Sequence, residues 1–160
     1  MKKLIPFLLL FSLLFAGGCK SKSAENEGQD FLLAFFTISD TQQAQDAYNK
    51  LISSDMSDAA VKEFHAVPAK YMTEQGLSAL IESRSFFGLS EAVIKNKLSL
   101  TPKDIVLTKK NGSTDFLLTV TVAYPSGEEK QIKQNGQLTF SEAGLVDTVF
   151  FTNLTELNIS

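Results

Sequence analysis

Apolar residues change their spacing halfway along this chain. In "DFLLAFFTI", Asp30 to Ile38, residues Phe31, Leu32, Phe35 and Phe36 fall on one helical face. Ala44, Ala47, Tyr48, Leu51 and Ile52 keep the same three-and-four rhythm, which predicts a second helix to about Ser53. Ser39 with Gln42 three residues later reads as its capping box. "SDMSDAAVKEF" offers another start, with Ser57 or Asp58 as N-cap and Val61 and Phe64 facing inward. Pro68 ends that piece or begins the next. Thr73 opens a further helix carrying Leu77, Leu80 and Ile81 on one face, and Gly88 marks its end region.

The second half alternates instead. Phe116, Leu118, Val120, Val122 and Tyr124 share one face of a strand, and Leu117, Thr119, Thr121 and Ala123 share the other. "DIVLT" precedes it as a strand, across a link whose Asn111-Gly112 is a strong hairpin signal. Pro125-Ser126-Gly127 turns the chain again. A strand then runs from about Glu129 to Phe140, with Asn135-Gly136 expected as a bulge in one bent strand. Glu142-Ala143-Gly144 makes another turn, and "LVDTVFFTNLTELNI" supplies one or two more strands. "AVIKNKLSL" reads as a further strand before Pro102. Helices followed by a meander of antiparallel strands predict an α+β domain.

The N-terminus adds a location. Lys2 and Lys3 precede an apolar run from Leu4 to Phe15, shorter than the roughly 20 residues a spanning helix needs. Small residues Ala16, Gly17 and Gly18 follow, and then Cys19, the single cysteine. The charged and apolar regions fit a secretory signal, and "LLFAGGCKSK" resembles a bacterial lipobox. That resemblance implies a signal peptide over 1–18, cleavage between Gly18 and Cys19, and acylation of the new N-terminal Cys19. Two or more acyl chains give a stable membrane anchor where one does not. Polar residues 19–29 then read as a flexible tether, and 30–160 as the folded domain.

Removing the signal leaves 13 Lys+Arg against 18 Asp+Glu, a net charge of −5. No basic cluster exceeds Lys109-Lys110, so binding to nucleic acid by phosphate neutralisation is not expected. With Cys19 acylated, no thiol remains for redox chemistry or metal binding.

The chain also resembles the NTF2-like cone fold, and within it small lipoproteins of Gram-positive bacteria and of their integrative conjugative elements. The stretches "FLLAFFTISD", "AKYMTEQGLSALIESR", "DIVLTKKNGSTDFLLTVTVAY" and "KQNGQLTF" carry this resemblance. They are motifs of architecture, and fold alone does not deliver function. The resemblance implies helices packed on a strongly bent sheet, and a role at the cell envelope, in transfer or in exclusion of redundant transfer.

Candidate chemistry is sparse. A lone His65 cannot build a histidine-rich metal site, and in "EFHAVP" it reads as an exposed polar group at a helix end. No nucleophile elbow, phosphate loop or calcium loop occurs. No cofactor or metal is expected. In cone-fold enzymes an acid, base or tyrosine points into the cavity, which makes Tyr48, Tyr71, Tyr124, Asp46, Asp115 and Asp147 the residues to watch. Burial would raise the Asp147 pKa and suit it to act as a base, whereas an outward position would make it an ordinary surface carboxylate. The pairs Phe86-Phe87 and Phe150-Phe151 cannot point both rings one way on a strand. One ring of each, with Phe87 and Phe151 as candidates, is expected near a surface where an aromatic can anchor a partner. The expected function is a non-catalytic, lipid-anchored extracytoplasmic domain that contacts another envelope protein. The alternatives are a small-molecule or lipid binder using the cone cavity and, third, an enzyme. Pairing of the sheet edge with a second copy is a further option.

Overall fold

A computed structural model describes residues 24–154. Cys19, Gly18 and the signal segment lie outside the described residues. Six helices come first: α1 (Ala24–Phe36), α2 (Gln42–Ser53), α3 (Asp58–Phe64), α4 (Ala66–Ala69), α5 (Glu74–Ser83) and α6 (Ser85–Lys95). A short strand, β1 (Ile38–Ser39), lies between α1 and α2. Four strands then follow, β2 (Ser99–Lys109), β3 (Thr114–Ala123), β4 (Glu129–Phe140) and β5 (Val146–Phe151). The sheet order is β1-β2-β3-β4-β5, with every neighbour antiparallel. N-terminal helices thus pack on a bulged antiparallel sheet, the α+β arrangement that the sequence predicts.

The periodicities explain the core. Phe31, Leu32, Phe35 and Phe36 of α1 are all fully buried. They meet the inward face of the sheet, where Leu100, Phe116, Leu118, Val120, Val122 and Leu138 are buried with them. Each such ring contributes about 2–3 kcal/mol relative to exposure, so one apolar stripe is enough to seat α1.

Several boundaries differ from the sequence reading, each for a physical reason. Helix α1 starts at Ala24, inside the stretch read as tether, because buried Gly28 lets the helix approach the Phe140 ring, which would lie 2.8 Å from an added Cβ. Glu25 and Glu27 in its first turn also suit the positive end of the helix. The N-cap of α2 is Thr41, whose Oγ1 accepts the Ala44 amide at 3.2 Å; Ser39 is instead drawn into β1 opposite Ser99. "AVIKNKLSL" is not one strand, since α6 runs to Lys95 and β2 starts at Ser99. Phe86, Leu89, Ser90 and Val93 form a buried helical stripe, and exposed Gly88 sits within that helix rather than ending one. Arg84, in the left-handed conformation (φ 55°), separates α5 from α6.

The bends in the sheet also fall elsewhere. Asn135-Gly136 stays in register with β3, Gly136 opposite Phe116. The irregularity of β4 lies against β5, where Thr139 pairs with Thr148 and Phe140 with Val146, leaving Asp147 as the extra residue. A second bulge in β2 falls between Lys103 and Val106 and holds Asp104 at φ 53°. Beyond β1, the outer edge of β2 carries Pro102, Lys103, this bulge and Lys109. These are features that oppose edge-to-edge pairing. On the other edge, the start of β5 is covered by the segment before α5. Met72 bridges Val146, the Thr73 amide donates to the Val146 carbonyl at 2.9 Å, and the Val146 amide donates to the Tyr71 carbonyl at 2.8 Å.

Candidate functional site

The residues singled out within the domain do not converge on one cavity. Asp147 is the bulge residue of β5, and its Oδ1 accepts a hydrogen bond from Thr73 Oγ1 at 2.8 Å. The same Thr73 oxygen accepts the Gly76 amide at 3.0 Å, capping α5. The carboxylate thus supports a helix N-terminus. Asp147 still alternates with Val149 and Phe151, all part-buried against exposed Thr148 and Phe150; the bulge instead leaves Val146 buried beside it.

Phe151 is in the main core, against Phe35 with centroids 4.5 Å apart, and against Phe36 and Phe116, each at 5.8 Å. It is Phe150 that points outward, 64% exposed. Tyr124 packs on the edge of the main core at the β3–β4 turn, where its amide donates to the Glu128 carbonyl.

Tyr48 and Phe87 do come together, in a second apolar cluster with Leu51 and Ala60. Their rings stack with centroids 6.0 Å apart. Phe86 and Phe87 are both buried because they lie on a helix, where adjacent residues face two different clusters. The Tyr48 hydroxyl donates to Glu91 Oε1 at 2.7 Å, and Lys95 Nζ lies 2.8 Å from the same oxygen. The bond to Glu91, then burial, pushes the Tyr48 pKa up. Hydrogen bonds from Lys95 and then Tyr48 hold the Glu91 carboxyl below its usual range, and the bond to Glu91 raises Lys95. The set fixes α2 against α6 and offers no nucleophile.

His65 is the residue the sequence reading misplaced. Its side chain is 3% exposed, with Nδ1 bonded to the Val61 carbonyl at 2.8 Å and its ring against Phe64 and Phe86. Burial lowers its pKa, against a smaller opposing effect of the Val61 carbonyl. A carbonyl only accepts, so Nδ1 carries the proton of the neutral ring. Its Nε2 is buried without a hydrogen-bond partner. A signal was present: Val61, Phe64, His65 and Pro68 follow the i, i+3, i+4, i+7 spacing of a buried face.

The outer face of the sheet is the other distinctive region. Val106 pairs with Leu117, and Phe150 pairs with Gln137, all on the face opposite the core. These three apolar side chains are 53%, 47% and 64% exposed. Asn135 and Gln137 lie between Leu117 and Phe150, and the Thr139–Thr148 hydroxyl pair at 2.7 Å lies beyond Phe150. Asp115 on this face accepts from the Gln137 amide at 2.9 Å, and Lys110 lies 3.7 Å from its other oxygen.

Among the described residues, no group of three or more His, Cys, Asp and Glu could hold a metal ion, and no helix is long and apolar enough to cross a membrane. No family profile and no curated protein matches the sequence. Among solved structures, the chain is similar to an IcmL-like type IV secretion system protein from Legionella pneumophila, at 18% identity and TM-score 0.46, over 79% of this chain and 88% of that one. It is similar to a periplasmic fragment of TraM at 10% identity and TM-score 0.46, over 80% and 93%. It is also similar to a protein from Jannaschia sp. described as a SnoaL-like polyketide cyclase, at 14% identity and TM-score 0.36, over 75% and 92%. At these identities the likeness concerns the fold alone.

Proposed function

We propose that this chain is a lipid-anchored, extracytoplasmic and non-catalytic domain that binds another envelope protein through the outer face of its sheet. The carrying observation is the exposure of Val106, Leu117 and Phe150 on one face, among the polar groups Asn135, Gln137 and Asp115. Apolar side chains rimmed by polar ones suit partner contact, and a central aromatic can supply much of the binding energy. Pro102, Lys103 and the β2 bulge oppose a homodimer through that edge, so the partner in this reading is a different protein.

The anchor is the acylated Cys19, proposed from the lipobox resemblance. On the same footing, the sequence resemblance to lipoproteins of conjugative elements suggests a role in transfer or in exclusion. A ligand in the cone cavity has less support, because Phe35, Phe36, Phe86 and Phe151 already pack ring to ring in that space.

The test is photo-crosslinking in intact cells from position 150, with position 131 on the same sheet as a control. A single envelope protein captured from position 150, and lost with Cys19→Ser, is the expected result. Equal capture from both positions, or none from either, would overturn the reading.

A further inference from the structure

The register of the sheet places two lysines beside the apolar side chains of the outer face. Lys103 is opposite Thr119 of β3, and Thr119 is opposite Lys133 of β4, so the three share that face in one row across the sheet. The next row is Val106, Leu117 and Asn135. Leu117 and Thr119 are two residues apart on one strand, which sets the rows about 7 Å apart. The two lysines are separated by two strand spacings, about 10 Å between Cα atoms. Both are exposed, and among the described residues neither forms an ion pair.

Nearby carboxylates do not cancel this charge. Asp115, in the row beyond Leu117, accepts from the Gln137 amide at 2.9 Å and has Lys110 at 3.7 Å. Glu129 is opposite Ala123, four residues and about 13 Å along β4 from Lys133. Two free lysines against Asp104 of the β2 bulge leave the charge beside the apolar trio positive. The domain without its signal carries a net charge of −5. An acidic partner, repelled by the molecule as a whole, is drawn to it here. The chain also enters from its N-terminal side on the inner side of the sheet, where Gly28 of α1 lies against Phe140 and Leu138. The outer face is thus turned away from that entry.

We propose that the partner meets this face with an amphipathic segment in which Asp or Glu stands about 7 Å beyond the apolar residues covering Leu117 and Phe150, those carboxylates seating on Lys103 and Lys133. This rests on the proposed contact of the outer face with an envelope protein, and it adds the partner's charge. Exposed pairs of this kind act mainly on association rate and choice of partner.

The test keeps a photo-crosslinker at position 150 of the full-length protein in intact cells and reverses both lysines, Lys103→Glu with Lys133→Glu. Lys62→Glu with Lys70→Glu, at two exposed lysines among the helices, makes the same change in net charge and is the control. Capture should fall about tenfold in the first and stay within about twofold in the second, because only at the outer face do two attractions become two repulsions. Mass spectrometry of the captured segment should show Asp or Glu beside its apolar residues, and changing these to Lys should restore capture by the reversed variant. Should the reversed chain fail to fold, Lys103→Gln with Lys133→Gln takes its place, with a loss of about threefold. Undiminished capture from the altered lysines, or an equal fall in the control, would overturn the proposal and leave the partner-binding face standing. No capture from position 150 of the unaltered chain would overturn both. Crosslinks to anionic lipid in place of protein would overturn it in favour of a membrane surface.

Discussion

Thr73 and Asp147 are 74 residues apart, yet the Thr73 hydroxyl donates to the Asp147 carboxylate at 2.8 Å while accepting the Gly76 amide. One side chain therefore joins the start of α5 to the bulge of β5. Gly76 completes the joint, because an added Cβ would lie 2.6 Å from the Asp147 carbonyl oxygen. Thr73→Ala should cost about 1–2 kcal/mol by loss of the cap. Gly76→Ala should cost more, about 1–3 kcal/mol, because rigid backbone must move. Urea unfolding of the three proteins checks the order; equal stability of Gly76→Ala and the parent would contradict the close approach.

The neighbours Phe150 and Phe151 should separate stability from binding. Phe151 packs on Phe35 and Phe116, so Phe151→Ala should destabilise by about 3–5 kcal/mol. Phe150 is outward, so Phe150→Ser should change stability by less than about 0.5 kcal/mol while reducing partner capture. Denaturation and pull-down of the same pair measure both effects.

His65 sets an acid sensitivity. Its folded pKa lies below the ordinary value of 6.5, so the folded state favours the neutral ring. The stability this contributes is full above the unfolded pKa and is lost as pH falls below it, by up to about 1.4 kcal/mol per pH unit. Glu91 is also depressed, from 4.5, and its contribution is lost at lower pH, as acid reaches its folded pKa. Denaturant midpoints between pH 8 and 5 should therefore fall for the parent and fall less for His65→Leu. Parallel curves would show that the ring is not buried neutral.

The Tyr48–Glu91 bond should be worth little. Glu91 is about one-third exposed and Lys95 is mostly exposed, so solvent screens the set. Tyr48→Phe should cost about 0.5–1 kcal/mol, whereas Phe87→Ala, which empties the second cluster, should cost about 3–5 kcal/mol. A double-mutant cycle of Tyr48→Phe with Glu91→Gln isolates the pair.

The periodicity of the chain by itself determined α1, α2, α3 and α5, the strands β3, β4 and β5, and much of the faces they bury, whereas α6 and the full length of β2 were not legible in it. Phe31, Leu32, Phe35 and Phe36 had to share a buried face, and Asn111-Gly112 had to turn, because local backbone geometry dictates both. The Cys19 motif likewise rests on sequence alone, and it lies outside the described residues. Tertiary structure decided what depends on distant partners. Alternation could not orient Asp147, because Val146 and Phe150 on one side and Val149 and Phe151 on the other are all apolar; only the packing of α5, with Thr73 on its carboxylate, places it. Nor could it show that Phe87 meets Tyr48, or that His65 ends with an unmet nitrogen, since each depends on helices packed far apart in sequence. Hydrophobic spacing says which side chains leave water; only the packing of the elements says what each meets there.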